Sequence, residues 1–136
     1  MTEVAFYTNV TDQNRLIATL LYKAHDVGRK LHIRVQNERH GEKIVQYLYG
    51  AEPTSFFGIS SSLEDVHDLT SAVISYTSHY GHNDIIINLT PEIPDNFSAF
   101  KRVIEIVSQN EENISSARNR YRWYKDRGYP IATHKL

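Results

Sequence analysis

Between Arg118 and Arg127 five cations are set against a single acid, Asp126, with Tyr121, Trp123 and Tyr124 interleaved. The net charge of all 136 residues is -1, so positive charge is concentrated locally on a nearly neutral molecule. A guanidinium group presents a planar fork of donors that grips carboxylate or phosphate oxygens two at a time. Placed on a helix, Arg118, Tyr121, Arg122 and Lys125 stand at i, i+3, i+4 and i+7 and share one face. Cations beside an aromatic ring on one face suit a phosphate backbone or an acidic peptide with an apolar end. The same run also suits a solvated terminal helix, whose cations are favoured near the negative end of the helix dipole. Ser115 or Ser116 is the predicted N-cap, and Gly128 the left-handed residue that ends the helix.

Other chemistries find less support in the residues. The predicted first strand-to-helix turn, residues 8–12, has no glycine, whereas the dinucleotide and P-loop motifs need glycines there for backbone amides to approach phosphate. There are no cysteines, which removes thiolate metal sites and cysteine nucleophiles. His79 and His82, with Asp84 nearby, and the pair His67-Asp68 near Asp65 fall short of the three or four convergent ligands that zinc requires. No Gly-x-Ser-x-Gly elbow occurs, and the carboxylates are scattered, so no acid–base pair stands out. The expectation is a protein without catalytic activity, metal or cofactor. The adjacent aromatics Phe56-Phe57 are a different kind of candidate. In a strand they would point to opposite faces, so one would lie outside the core, either covered by a loop or exposed as an anchor for a protein partner.

The elements that must position these residues follow an alternating pattern. The run 4–7 reads as a strand. Asp12 caps a helix with the stripe Leu16, Ile17, Leu20, Leu21 and Ala24, closed by Gly28. Residues 31–35 alternate as a second strand, and 38–48 read as a second helix. A turn at 52–55 leads into 58–70, expected as loop or short helix. Residues 72–76 are a strand candidate, and Asp84-Ile85-Ile86-Ile87-Asn88-Leu89 is an apolar run of the kind a central strand covered on both faces requires. Residues 97–100 suggest a helical turn, 102–107 another strand, and 129–136 a short tail. A β-α-β-α order favours an α/β sheet with right-handed crossovers. With 40% hydrophobic and 23% charged residues, one soluble domain over 1–136 is expected. The chain opens without the basic segment and apolar run of a signal peptide, and no stretch approaches a membrane span, so a cytoplasmic location is expected.

Taken together, these segments resemble the chi subunit of bacterial DNA polymerase III holoenzyme. The resemblance is carried by Asp84 to Leu89, by Phe97-Ser98-Ala99-Phe100, and above all by Ala117-Arg118-Asn119-Arg120-Tyr121-Arg122-Trp123-Tyr124-Lys125-Asp126-Arg127-Gly128-Tyr129. That stretch is similar to the family's closing pattern Ala-Arg-x-Arg-Tyr-basic-x-Tyr-basic-x-x-Gly-aromatic. Ala5-Phe6-Tyr7 and Ser55-Phe56 also fit, while residues 58–71 align poorly.

The resemblance implies a non-catalytic, mostly parallel Rossmann-like α/β domain without a nucleotide site. It implies pairing with the psi subunit, which links chi to the clamp loader, and binding of the acidic C-terminal tail of single-stranded DNA-binding protein. By the family pattern the tail meets Arg118, Tyr121, Arg122 and Lys125. Val107 would help form the socket for the tail's terminal Phe, with Tyr49 where other members carry Trp. A usually basic position falls on Ile114. Phe56 would face psi, with Phe57 as companion. The competing reading is direct binding of single-stranded nucleic acid. In that case Arg118, Arg120, Arg122 and Lys125 would meet phosphates while Tyr121 or Trp123 stacked on bases. A net charge of -1 opposes it, because free nucleic-acid binders carry broad basic surfaces. An enzyme with an unrecognised site ranks last.

Overall fold

The computed structural model describes residues 1–52, 54–61, 70–77 and 84–136, and of Phe56 the backbone only. The histidine groups that fell short of a metal site, His67-Asp68 and His79/His82, lie outside the described residues. The strands and α-helices follow in the order β1 (Glu3–Val10), α1 (Gln13–Asp26), β2 (Leu31–Arg34), α2 (Glu38–Gly50), β3 (Gly58–Ser60), β4 (Thr70–Ser75), β5 (Ile85–Asn88), β6 (Arg102–Ser108), α3 (Glu111–Asp126) and β7 (Ile131–Lys135). The strands form one sheet in the order β3-β4-β2-β5-β6-β1-β7, and every pairing in it is parallel. β5, the apolar run, is the middle strand, as a segment covered on both faces should be.

Alternation along the strands sorts the core into two layers. On one face Ala5, Leu31, Ile33, Ala72, Ile74, Ile87, Ile104 and Ile106 pack against Ile17, Leu20, Leu21 and Ala24 of α1 and Ile44 and Leu48 of α2. Val4, Phe6, Ile86, Val103 and Val107 point to the other face, where Ala117 and Tyr124 of α3 cover them. Asp12 caps α1 by accepting from the Arg15 amide at 3.1 Å, and Asn37 caps α2 by accepting from the His40 amide at 2.8 Å. α2 comes close to the sheet at Gly41, where a Cβ would stand 3.3 Å from Val35 and 3.4 Å from Ile74.

Three local expectations are corrected. Residues 131–135 are a strand rather than a tail: β7 pairs with β1 along the sheet edge. Residues 58–60 form a short edge strand where a loop or helix was expected. The Phe56-Phe57 pair is not in a strand, because Thr54–Phe56 is a 3-10 turn and Phe57 precedes β3.

Candidate functional site

α3 begins five residues earlier than Ser115, and six earlier than Ser116, would suggest. Asn110 is its N-cap, accepting from the Asn113 amide at 2.8 Å, and Glu111 and Glu112 occupy the first turn, where the dipole favours negative charge. Ser115 and Ser116 are interior. At the other end Gly128 has φ +80°. Its amide donates to Lys125 O at 3.0 Å, and the Tyr129 amide donates to Tyr124 O at 3.1 Å. This paired closure satisfies the last carbonyls and turns the chain into β7.

The orientation of α3 about its own axis is fixed by buried polar contacts. Glu105, fully buried on β6, accepts from Arg120 Nε at 3.0 Å, from the Tyr124 hydroxyl at 2.9 Å and from Asn88 Nδ2 at 3.0 Å. Arg120 also donates to Pro91 O at 3.2 Å and to Ser116 Oγ at 2.6 Å. Ser116, Arg120 and Tyr124 follow at i, i+4 and i+8, so the inner stripe of the helix is set by this network. Burial pushes the Glu105 carboxyl above its ordinary value, opposed by the Arg120 charge and by the hydrogen bonds from Asn88, Tyr124 and Arg120. Burial, and then the neighbouring Glu105 charge, push the Tyr124 hydroxyl upward too, so it remains a donor.

With the inner stripe fixed, the outer one follows from helical geometry. Arg118, Arg122 and Lys125 are exposed, and Tyr121 is 37% exposed. At ~100° per residue these four span an arc of roughly 100°. Among the described residues none of the three cations enters an ion pair. Tyr121 sets its ring against Phe6 of β1, centroids 5.4 Å apart and edge-on, which places the stripe on the flank of α3 that faces β1. Ile114 lies one turn before Arg118 and packs on the same apolar cluster as Phe6, Val107 and Ala117. The stripe thus has a basic length and an apolar foot. Val107, 5% exposed, is a floor residue beneath it.

Tyr49 is not brought to this surface. It lies near the end of α2, on the opposite face of the sheet, and its hydroxyl donates to Ile59 O in the far edge strand at 3.1 Å. Phe57 stacks on His25 at 4.0 Å and on Tyr22 at 6.4 Å, so it is a half-buried partner of α1. Phe56 closes the 3-10 turn beside it, and its side chain lies outside the described part of the chain. The nucleic-acid reading loses one cation, because Arg120 is 7% exposed and committed to Glu105. Its Trp123 ring is edge-on to Phe97 at 5.5 Å and carries the Arg127 guanidinium 3.9 Å above it, leaving it poorly placed to stack on a base.

What residue spacing alone did not reveal is the set Asn88, Glu105, Ser116 and Tyr124 that positions the helix. A lone Glu inside the β-branched run 103–107 was the available signal, since an acid among buried strand residues needs a partner.

The geometry can be set beside known proteins. The profile of the family described as DNA polymerase III chi subunit, HolC, matches residues 1–132. A DNA polymerase III subunit chi from Pseudomonas aeruginosa is 26% identical over 140 aligned positions, covering 100% of this chain and 98% of the relative. The Haemophilus influenzae subunit of the same name is 27% identical over 111 positions, covering 80% and 77%. A match over nearly the whole sheet, including α3 and the start of β7, places the chain in the DNA polymerase III chi subunit family.

Proposed function

We propose that this chi-family protein is a non-catalytic adaptor in the bacterial cytoplasm. In this reading its α3 stripe holds the acidic C-terminal tail of single-stranded DNA-binding protein, while pairing with psi links it to the clamp loader. The observation that carries the reading is the outer stripe: Arg118, Arg122 and Lys125 exposed without an internal ion pair, with Tyr121 and Ile114 beside the buried Phe6 and Val107. A tail that carries acids and ends in Phe with a free carboxylate requires cations for its charge and a dry contact for its ring. Burying the ring contributes about 1.5–3 kcal/mol and each charge-assisted hydrogen bond about 1.5–3 kcal/mol, before the cost of ordering the tail. A micromolar dissociation constant, about -8 kcal/mol, is the expected net result. Tyr49 is left out of this site by its position on the other face.

Psi is assigned to the region of Phe56 and Phe57, beside the end of α1. The half-buried stack of Phe57 on His25 and Tyr22, with Tyr22 47% exposed, supports an aromatic surface there. Phe56→Ala should impair psi binding and leave tail binding intact; unimpaired psi binding would remove Phe56 from that interface.

The deciding test for the tail is calorimetric titration with the cognate tail peptide, with and without its terminal Phe. Micromolar binding that disappears with the Phe is the expected outcome. Absence of binding at low salt would overturn the assignment and make single-stranded DNA the next ligand to titrate.

A further inference from the structure

A second charged hollow lies on the other face of the sheet, at the amino-terminal ends of the strands. Between the second half of α1 and the starts of β1, β2, β5 and β6 is a cavity of about 500 Å³. Its floor is aliphatic, with Leu20, Ala24, Leu31 and Ile104 all buried, and Val27 stands 69% exposed at its lip. Four exposed cations border it: Lys23 on α1, Arg29 just after the helix, and Lys101 and Arg102 where β6 begins.

Lys23 near the end of α1 is explained by the helix dipole alone, but Lys101 and Arg102 come from a distant part of the sequence, and the dipole does not account for their convergence. The two acids of the rim are already engaged. Glu3 pairs with Arg102 at 3.3 Å, and the Asp84 carboxylate accepts from the Lys30 amide at 2.8 Å. Among the described residues, Lys23, Arg29 and Lys101 enter no ion pair.

We propose that this cavity is a second docking site, for a partner-protein segment that carries a large apolar side chain flanked by Asp or Glu. Its volume suits such a side chain, its floor is aliphatic, and its rim offers unpaired cations to the flanking carboxylates. Glu3 and Asp84 can also accept N–H groups of an extended peptide. A phosphate backbone has no such donors. The aromatic ring in the lining, Tyr7, is stacked on His134 at 4.8 Å, so one of its faces is already covered against a base. The inference is independent of what α3 binds, because the two surfaces share no residue.

The test uses the ¹⁵N-labelled full chain and a blocked peptide, acetyl-Asp-Glu-Phe-Glu-Asp-amide, which lacks the free carboxylate expected of a tail ligand. Saturable amide shifts should centre on Lys23, Val27, Arg29, Lys101 and Arg102. They should persist in Arg118→Glu/Arg122→Glu and weaken about tenfold in Lys23→Glu/Lys101→Glu, the equivalent of ~1.4 kcal/mol. Val27→Asp, a lip substitution, should weaken them as well, and the spectra themselves report whether each variant is folded. Shifts confined to 118–125, no saturable shifts, or shifts unchanged in both cavity variants would overturn the proposal. So would a short oligothymidylate that saturates the same amides more tightly than the peptide.

Discussion

Arg120 and Arg122 are two positions apart on α3, and their guanidinium groups do opposite things. Arg120 is held between Glu105, Pro91 and Ser116 with 7% of its surface exposed. Arg122 stands in solvent with Arg118 and Lys125. A rotation of ~200° about the helix axis separates the two roles. Counting cations in a basic run therefore overstates the surface available to a ligand, and the buried member decides how the others are presented. The inner stripe anchors the helix, and the outer one is the surface proposed for the tail.

The sharpest way to break that division is at Glu105. Glu105→Ala strands the buried Arg120 charge and should cost about 3–5 kcal/mol in chemical denaturation. Replacing Glu105 and Arg120 together with apolar residues of similar volume should recover most of the loss, since neither charge is then left unpaired. A double variant no more stable than the single one would mean the network's hydrogen bonds, and not the stranded charge, carry the energy.

On the outer stripe, Arg118→Ala or Arg122→Ala should weaken tail binding by about 1.5–3 kcal/mol, roughly ten- to a hundredfold, with the denaturation midpoint unchanged. Unchanged affinity in both variants would exclude the stripe as the site. Tail binding should also fall with salt, because exposed charges are screened over about 10 Å at 0.1 M, while the stability contributed by Glu105 and Arg120 should respond far less.

A smaller effect separates the stripes by pH. Burial raises the Glu105 carboxyl above its ordinary value of 4.5. The group's contribution is thus complete below the unfolded value and is lost as pH rises through the higher folded value. Denaturation of the wild type and Glu105→Gln across this range should show the wild type losing ground as pH increases. A constant difference would mean that Arg120 and the hydrogen bonds cancel the burial cost. The smallest expected effect is Lys125→Ala, about 0.2–1 kcal/mol of tail affinity for a single exposed ammonium.

These pairings mark where the sequence was readable. Ile85, Ile86 and Ile87 identified the middle strand because no polar residue interrupts them, and Asp12 and Gly28 bracketed α1. The outward set on α3 followed from i, i+3, i+4 and i+7 spacing alone. β7 escaped because Ala132, Thr133, His134 and Lys135 are all exposed and show no alternation to read. β3 escaped because it is three residues long and begins with glycine. The N-cap was misplaced because Ser115 and Ser116 offered hydroxyls nearer the basic run, while Asn110 followed by Glu111 and Glu112 held the stronger signal. Position within the fold was beyond spacing: nothing in Tyr49 or Val107 themselves tells which face of the sheet each will occupy.

The neighbour relations of β1 bear on how the molecule comes into being. Its two partners are β6 and β7, with Glu3 opposite Arg102 and Val4 opposite Ile131. During synthesis the first strand therefore waits for roughly 100 residues before either edge can be paired, about 5–20 s at ordinary elongation rates. Until then Val4 and Phe6 have neither a strand beside them nor α3 above them, and the loop to be closed is among the longest the chain permits, which slows folding. Nascent chains stalled before residue 102 should be open to protease at β1, and chains extended through β7 protected, so α3 and the molecule's final stability arrive together.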